Sequence, residues 1–298
     1  MTRLAAESAR LWRRGRDLAY PLPDSAICGA RRRNFAPSED AMSIRLRQIC
    51  LVANRLAPAI EDFKAVLGLE VCFKDPEVAV FGLENSLMPV GANFIEVVAP
   101  VKDDTAAGRY LKRRNGDGGY MVICQCDTHA TQLGRKERAR ALGVRVAWEH
   151  ETKAFHVMQL HPADTGGAFF EIDWDAMGEP EGNWTPAGGA GWTSARRTEV
   201  VKACTAVEMQ SADPKGLAER WSSIAEIPLR KDARGRFEMP LDNAAVRFVE
   251  ATDGRGEGLG GIDLVAADPA RLLAAARMRG CASGDDQVTV CGTRFYLV

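Results

Sequence analysis

The chain has 298 residues, of which 46% are hydrophobic and 27% are charged, and its formal net charge is −1. This balance excludes a strongly basic protein that binds nucleic acid, and no apolar run is long enough to span a bilayer. The length suits one large or two medium-sized globular domains. Eight scattered cysteines without a framework spacing predict reduced thiols and a cytoplasmic protein.

Residues 1–42 differ in composition from the rest of the chain. This stretch is rich in arginine and has little apolar periodicity. We predict a poorly ordered N-terminal extension, with one short helix over Ala5–Leu18 and no catalytic role. A transit peptide and translated sequence upstream of the true start are the alternatives, and the acidic residues in the stretch make a transit peptide the looser fit.

One structural unit recurs four times along the chain: a strand, a helix that ends near a glycine, and then short strands. The first copy begins at Arg45–Asn54, and Gly68 is expected to end its helix. The other copies begin with the apolar segments Tyr120–Asp127, Cys204–Gln210 and Gly261–Ala266. Alternation of apolar and polar residues predicts strands at each of these starts.

Local signals mark several ends of these elements. Asp213 and Asp268 each precede a proline, and aspartate followed by proline is typical of the first turn of a helix. Gly280 is expected to end the last helix. In the first copy, strand composition predicts a strand at Val78–Leu83. A tight hairpin about Gly292 is predicted to close the chain.

A stretch rich in glycine, proline and tryptophan, residues 179–200, predicts a linker between two domains at residues 43–178 and 201–298. Trp184 and Trp192 are too apolar to stay in solvent, so we expect them to pin the linker onto the first domain. The third and fourth units are shorter. The second domain is therefore predicted to be structural, covering the open sheet of the first domain or shaping a pocket mouth.

The first two units open with the segments RQICLVANRLAPAIEDFKAVLGLEV and GGYMVICQCDTHATQLGRKERARALGVRV. These segments resemble modules of the vicinal-oxygen-chelate (VOC) superfamily, which includes glyoxalase I, extradiol dioxygenases, methylmalonyl-CoA epimerase and bleomycin resistance proteins. FGLENSLMPVGANFIEVVAPV and LHPADTGG are similar to bacterial glyoxalase-like proteins of unassigned substrate. The resemblance implies an α+β fold of repeated βαβββ modules, paired into two VOC-type domains with cupped mixed β-sheets.

In this superfamily, the first and last strands of each module supply metal ligands to the cup. The resemblance therefore points to four positions in the first domain, which are Gln48, Glu96, Met121 and Glu171. Glu96 and Glu171 interrupt apolar strands at matching points. A buried carboxylate needs a partner, a metal or a proton, and pairing with an arginine or a place at the sheet rim is an equal alternative. In the second domain, Ala206 and Phe248 are predicted to take the places of Gln48 and Glu96.

The four histidines complete the set of candidates. His129 starts a helix and is expected to be exposed, while His150 and His156 are expected at the mouth of the cup. His161 precedes Pro162 and could reach the cavity as a general acid or base. We assign catalytic roles to Glu171, Glu96 and His161. Strand alternation and the resemblance give a substrate-binding set of Gln48, Met121, Gln125, Cys50, Phe94 and Trp148.

Metal binding is open at this point. One divalent ion (Zn, Ni, Mn or Fe) held by Gln48, Glu96 and Glu171 is one alternative, and no metal is the other. Met121 stands where a glyoxalase I site has histidine, and a thioether is a soft ligand. Extradiol dioxygenase chemistry is disfavoured because neither of its histidine positions is kept.

Two functions follow from the resemblance. The favoured one is lyase or isomerase chemistry of the glyoxalase type on a small oxygenated metabolite, through Glu96 and Glu171. The alternative is a metal-free protein that sequesters a small molecule, as bleomycin resistance proteins do. The expected partner is a small-molecule ligand, without nucleic acid or membrane, and a homodimer is left open.

Overall fold

Two seven-stranded mixed β-sheets with connecting helices form the computed structural model, which describes residues 43–281 and 284–298. The predicted N-terminal extension over residues 1–42, with its short helix, lies outside the described residues. Within the described part of the chain, no helix is both long and apolar enough to cross a membrane.

The first sheet has the strand order β2-β3-β1-β4-β7-β6-β5. Its strands are β1 (Ile44–Val52), β2 (Leu83–Val90), β3 (Asn93–Pro100), β4 (Gly118–Cys126), β5 (Val146–Glu151), β6 (Phe155–Leu160) and β7 (Phe169–Asp175). The central strands β1 and β4 are antiparallel, and each has a parallel outer neighbour, β3 and β7 respectively.

The second sheet repeats this arrangement in the order β13-β14-β12-β8-β11-β10-β9. Its strands are β8 (Val201–Ser211), β9 (Arg230–Lys231), β10 (Phe237–Pro240), β11 (Ala245–Glu250), β12 (Gly258–Ala266), β13 (Gln287–Val290) and β14 (Thr293–Leu297). Strands β8 and β12 are antiparallel at its centre and pair in parallel with β11 and β14. The predicted α+β fold with paired VOC-type sheets is confirmed.

Five α-helices connect these strands. They are α1 (Leu56–Leu67), α2 (Ala106–Arg114), α3 (His129–Ala141), α4 (Pro214–Ala225) and α5 (Pro269–Arg279). The predicted caps are confirmed: Asp213 accepts a hydrogen bond from the Gly216 amide, and Asp268 accepts one from the Arg271 amide. Such a cap contributes about 1 kcal/mol to helix stability. Gly280 ends α5 with φ 70°, a left-handed conformation that glycine adopts without strain.

The strand predicted at Val78–Leu83 is wrong. Pro76–Phe81 forms a 3-10 helix, and β2 begins only at Leu83. The Asp75 carboxylate accepts a hydrogen bond from the Glu77 amide, and proline occupies the first helical position. This local capping outweighs the strand preference of the valines that follow.

One apolar core lies between the two sheets, on the faces that carry α1, α3, α4 and α5, which are called the helix-bearing faces. Helix α2 packs instead into the cluster on the opposite, concave face of the first sheet, through Ala107, Tyr110 and Leu111. Trp221 of α4 stacks on Phe170 of β7, with ring centroids 4.1 Å apart, and meets Phe248 of β11 edge-on at 5.9 Å. Strands β4 and β12 approach directly at Gly119, where an added Cβ would lie 2.4 Å from the Leu259 side chain. A side chain at this position would therefore separate the sheets.

This packing corrects the role predicted for the second domain. The second sheet and its helices cover the helix-bearing face of the first sheet, so they do not cover its open concave face. The predicted division into residues 43–178, 179–200 and 201–298 follows the boundary between the sheets. Whether these segments are separate folding domains stays a prediction.

Trp221→Ala is expected to lower the free energy of unfolding by about 3–5 kcal/mol, because it leaves a cavity between the sheets. Met278→Ala is the control, since the Met278 side chain is 83% exposed and its loss should cost less than about 0.5 kcal/mol. Urea denaturation measures both. Equal midpoints for the two variants would contradict the shared core.

Candidate functional site

The concave face of the first sheet carries both carboxylates that the sequence singles out. Glu96 on β3 and Glu171 on β7 are 7% and 5% exposed. On β1, Cys50 pairs in register with Glu96, and Gln48, two residues earlier and on the same face, pairs with Ile123 of β4. Ile123 in turn pairs with Glu171 of β7. The two acids therefore share one cup.

Amide groups hold Glu96. Gln48 Nε2 donates to Glu96 Oε2 at 3.0 Å, and Asn85 Nδ2 donates to Glu96 Oε1 at 2.6 Å. Gln48 Oε1 in turn accepts from Trp184 Nε1 at 2.8 Å. Burial raises the pKa of Glu96, and the donors from Asn85, Cys50 and Gln48 lower it in part.

Glu171 forms a pair with Asp173, two residues further along β7 and on the same face. Glu171 Oε2 and Asp173 Oδ2 are both buried without a hydrogen-bond donor, and Asp173 Oδ1 accepts from the Met158 amide at 3.4 Å. Two ionised carboxylates at neighbouring positions of one buried face repel each other, and burial disfavours the charge of each. Burial raises the pKa of Glu171 to about 7, and burial with the neighbouring Glu171 raises the pKa of Asp173 well above its usual range.

The linker closes the cup. Two 3-10 turns, Thr185–Ala187 and Gly191–Ala195, place Trp184 and Trp192 in the cluster on the concave face, where the two side chains are 0% and 1% exposed. Their burial against the first sheet is as predicted. The sequence did not indicate that they would fill the cup itself.

Arg47 of β1 holds the closing segment, the part of the linker that contains Trp184 and Trp192. Its guanidinium lies 5.4 Å from the ring of Trp184 and 5.7 Å from that of Trp192, and it donates to the Pro180 carbonyl at 2.6 Å. Arg47 is fully buried, so these contacts replace its hydration. The segment is thus held by charge, by ring contacts and by the bond from Trp184 to Gln48.

The remaining members of the predicted substrate set divide between the cup and its edge. Cys50 and Phe94 are fully buried in the cup cluster, and Phe94 meets Trp192 edge-on at 5.0 Å. Gln125 donates to the Gly178 carbonyl at 3.0 Å, and its Oε1 is buried without a donor. Met121 packs against the cup cluster. Trp148 lies on the edge strand β5, edge-on to Phe81 at 5.6 Å, outside that cluster.

The histidines do not surround the carboxyl groups. His161 Nδ1 accepts from the Ala163 amide at 3.1 Å, and burial and the charge of Arg145 lower the pKa of His161. Its hydrogen-bond partner is thus local. His156 is fully buried rather than at the mouth of the cup, and His129 lies beside it, with His129 Nε2 3.1 Å from His156 Nδ1. The expectation for His156 is therefore wrong, whereas His129 does start α3 and its side chain is 29% exposed.

His129, Glu151 and His156 bring nitrogen and carboxylate atoms within 4.8 Å of one another, an arrangement that could hold a metal ion.

The donor set of the cup does not fit a metal ion. The Gln48 oxygen is bonded to Trp184, and both Glu96 oxygens accept from side-chain amides. A metal there would have to break these bonds and accept a thioether in place of imidazole.

Asn85, Gln159 and Asp173 belong to the site although the sequence analysis assigned no role to them, and Trp184 belongs to it although it was expected only to pin the linker. Gln159 of β6 pairs in register with Glu171 of β7, and its amide nitrogen lies 4.0 Å from the Met121 sulfur. Asn85 and Gln159 are polar residues within strands whose neighbours are largely buried, and Asp173 follows Glu171 at the spacing of one strand face. Those signals were present. Trp184 comes from a distant loop and had no such signal.

The concave face of the second sheet has a different chemistry. Arg247, not Phe248, occupies the register position of Glu96, because Glu208 pairs with Arg247 as Cys50 pairs with Glu96. Arg247 donates to both oxygens of Asp263 at 2.7 and 2.8 Å and to Glu208 at 3.0 Å. These buried charges satisfy one another, so this face is stabilised as a closed ion-pair network.

Comparison with known proteins supports the fold. A family model described as a glyoxalase-like domain matches residues 49–225. A hypothetical protein from Staphylococcus aureus is 10% identical with a TM-score of 0.58, covering 86% of this chain and 99% of its own. A mutant of 4-hydroxymandelate synthase from Streptomyces coelicolor is 14% identical with a TM-score of 0.60, covering 81% of this chain and 76% of its own.

A methylmalonyl-CoA epimerase from Mycobacterium tuberculosis is 24% identical with a TM-score of 0.38, and the match covers 44% of this chain and 87% of the epimerase. None of the curated proteins compared with the sequence matches it. At these identities, the two structures with TM-scores above 0.5 show a common fold and nothing about the reaction.

The raised pKa values of Glu171 and Asp173 predict a pH dependence of stability. The folded state holds protons on Glu171 and Asp173 more tightly than the unfolded chain, so this contribution is present in acid and is lost as pH rises through about 7. The Glu171→Gln/Asp173→Asn double variant is therefore expected to gain about 1–3 kcal/mol over the wild type between about pH 5 and pH 8. Urea denaturation at both pH values measures this. Glu84→Gln, at an exposed position of β2, should show no gain.

The packing of the closing segment over the cup predicts how fast a thiol reagent modifies Cys50. Trp192→Ala removes a ring that covers Phe94, so local opening becomes easier and N-ethylmaleimide should modify Cys50 at least about tenfold faster. Mass spectrometry of peptides measures the modification. Cys124, buried on the opposite face, is the internal control. Equal acceleration at both thiols would indicate global unfolding and contradict the prediction.

Proposed function

Since this chain belongs to the glyoxalase-like domain family, we propose that it is a lyase or isomerase of the glyoxalase kind that acts on a small oxygenated metabolite. The reaction we infer is the transfer of a proton at a carbon atom next to a carbonyl group. The observation that carries this proposal is the burial of Glu171 and Asp173 side by side on the concave face, each with a carboxyl oxygen that has no hydrogen-bond donor.

A carboxyl group with a pKa near neutrality is suited to accept and return a proton at physiological pH. The pKa of Glu171, raised to about 7 by burial, meets this requirement without a metal. In the proposed reaction, Glu171 removes the proton and Asp173, protonated beside it, keeps a second carboxylate charge from forming. Gln48 and Asn85, whose amide groups now bond Glu96, are the proposed neutral donors for a developing oxyanion.

Substrate entry requires the closing segment to move. Trp184 and Trp192 fill the concave face, so a ligand has to displace at least one ring before it can reach Glu171. Because these rings are apolar, a ligand that replaces them should be small and partly apolar, with an oxygen to take the place of the Trp184 nitrogen on Gln48. Such a gate would also keep water from the carboxyl pair.

A second candidate is a metal-free protein that sequesters a small molecule. The observation that favours it is the aromatic content of the cup, to which Phe94, Tyr120 and the two linker tryptophans contribute. Under this alternative, a ligand would quench tryptophan fluorescence on binding, and it would be released without chemical change. A cytoplasmic location and a small-molecule partner are common to both candidates, and homodimer formation stays a separate proposal.

The test is deuterium incorporation. Wild-type protein is incubated in D2O with a panel of small aldehydes, ketones and 2-oxo acids, and exchange at the carbon next to the carbonyl is followed by NMR. Glu171→Gln should lose at least about 100-fold in exchange rate, because general base catalysis contributes that much. Glu84→Gln, on an exposed position of the same sheet, should keep the wild-type rate.

Exchange that survives Glu171→Gln would contradict the assigned base. Fluorescence quenching by a compound that shows no exchange with any variant would favour the sequestering protein instead.

A further inference from the structure

Two histidines and a glutamate meet on the helix-bearing face of the first sheet, opposite the cup. His156 of β6 pairs with Trp174 of β7, and Trp174 alternates along that strand with the cup residue Asp173. His129 is the first residue of α3, and its ring stacks on Trp174 at a centroid distance of 4.5 Å. Glu151 is the last residue of β5. A helix start and a hairpin thus bring these side chains together.

We propose that this group binds one divalent transition-metal ion of the zinc class, through His129 Nε2, His156 Nδ1 and a carboxylate oxygen of Glu151. The two nitrogens are 3.1 Å apart, and the carboxylate oxygens lie 3.5 Å from His129 Nε2 and 3.9 Å from His156 Nδ1. Bonds of 2.0–2.1 Å in a tetrahedral site separate ligand atoms by about 3.3 Å. The atoms therefore stand close to the required positions already.

Glu149 hydrogen-bonds to His156 and favours the tautomer that can bind a metal. Its Oε1 lies 2.7 Å from His156 Nε2, and the same carboxylate forms an ion pair with Lys136. When His156 donates its Nε2 proton to Glu149, the lone pair of Nδ1 is free and faces His129 and Glu151. A carboxylate behind a histidine is the usual partner of a metal-binding imidazole, because it fixes the tautomer and increases the basicity of the ligand nitrogen.

The ligand chemistry selects the class of ion. Two imidazoles and one carboxylate suit zinc and its neighbours in the first transition series, whereas magnesium and calcium prefer sites made of oxygen. The side chains of His129 and Glu151 are 29% and 50% exposed, so a fourth position can be taken by water. The ion would connect the start of α3 to the β5–β6 hairpin at the edge of the sheet.

This site is separate from the proposed catalytic cup. Its ligands lie on the other face of the sheet, and neither Glu96 nor Glu171 takes part. The metal-free explanation of the same geometry is a hydrogen bond between His129 and His156, with Glu151 as an acceptor nearby. The two explanations differ in one respect: only the first predicts stoichiometric binding of a metal.

The experiment is a titration of the full, chelator-treated chain with Co²⁺, followed through the visible absorption of four-coordinate cobalt, and then competition with Zn²⁺. Wild type should bind one ion, and Zn²⁺ should remove the cobalt spectrum. His129→Gln and Glu151→Gln change partly exposed ligands and should each weaken binding at least about tenfold. Glu149→Gln keeps all three ligands and should weaken it about 10–100-fold.

Two controls keep the result specific. His150→Gln changes a neighbouring histidine of the same hairpin, and Glu171→Gln changes the cup; both should bind cobalt as wild type does. Zn²⁺ should also raise the melting temperature of wild type but not of His129→Gln. Absence of a cobalt spectrum, binding that His129→Gln leaves intact, or binding that Glu171→Gln abolishes would each overturn the proposal, whatever the outcome of the deuterium exchange test.

Discussion

The cost of burying carboxyl groups in an apolar cup is the constraint on which the site depends. Glu96, Glu171 and Asp173 are all buried on the concave face of one sheet. An isolated ionised carboxylate in such surroundings is too costly to persist, so each group needs donors or a proton. Glu96 accepts hydrogen bonds from the amides of Gln48 and Asn85. Glu171 and Asp173 each have a buried oxygen without a donor, and burial raises the pKa of both.

The same constraint explains why the linker is part of the site. Trp184 gives its indole N–H to Gln48, and Gln48 gives its amide N–H to Glu96. The closing segment and the acidic cup are therefore joined through one hydrogen-bonded chain, which Arg47 supports from β1. A ligand that breaks the first bond of this chain would change the surroundings of the acids directly, and binding and proton transfer would be coupled.

The two sheets stabilise their buried acidic groups in different ways. In the second sheet, Arg247 and Arg294 face Glu208, Asp263 and Asp253, so ionised groups are paired with ionised groups. In the first sheet, neutral donors hold Glu96, and burial raises the pKa of Glu171 and of Asp173. A closed ion-pair network resists change of charge, while a protonated pair with a pKa near neutrality can give up and take back a proton. The fold is duplicated, but only the first concave face has groups poised for this chemistry.

Local sequence patterns determined most of the fold. Apolar composition predicted the four module starts, and Asp213 and Asp268 predicted two helix starts, because each signal acts between close neighbours in the chain. The expectation that Glu96 and Glu171 share one cup came from the resemblance to VOC modules. Tertiary packing decided the rest. The filling of the cup by Trp184, the meeting of His129 with His156 and the place of Arg247 opposite Glu208 arise between segments far apart in sequence, where no local period records the partner.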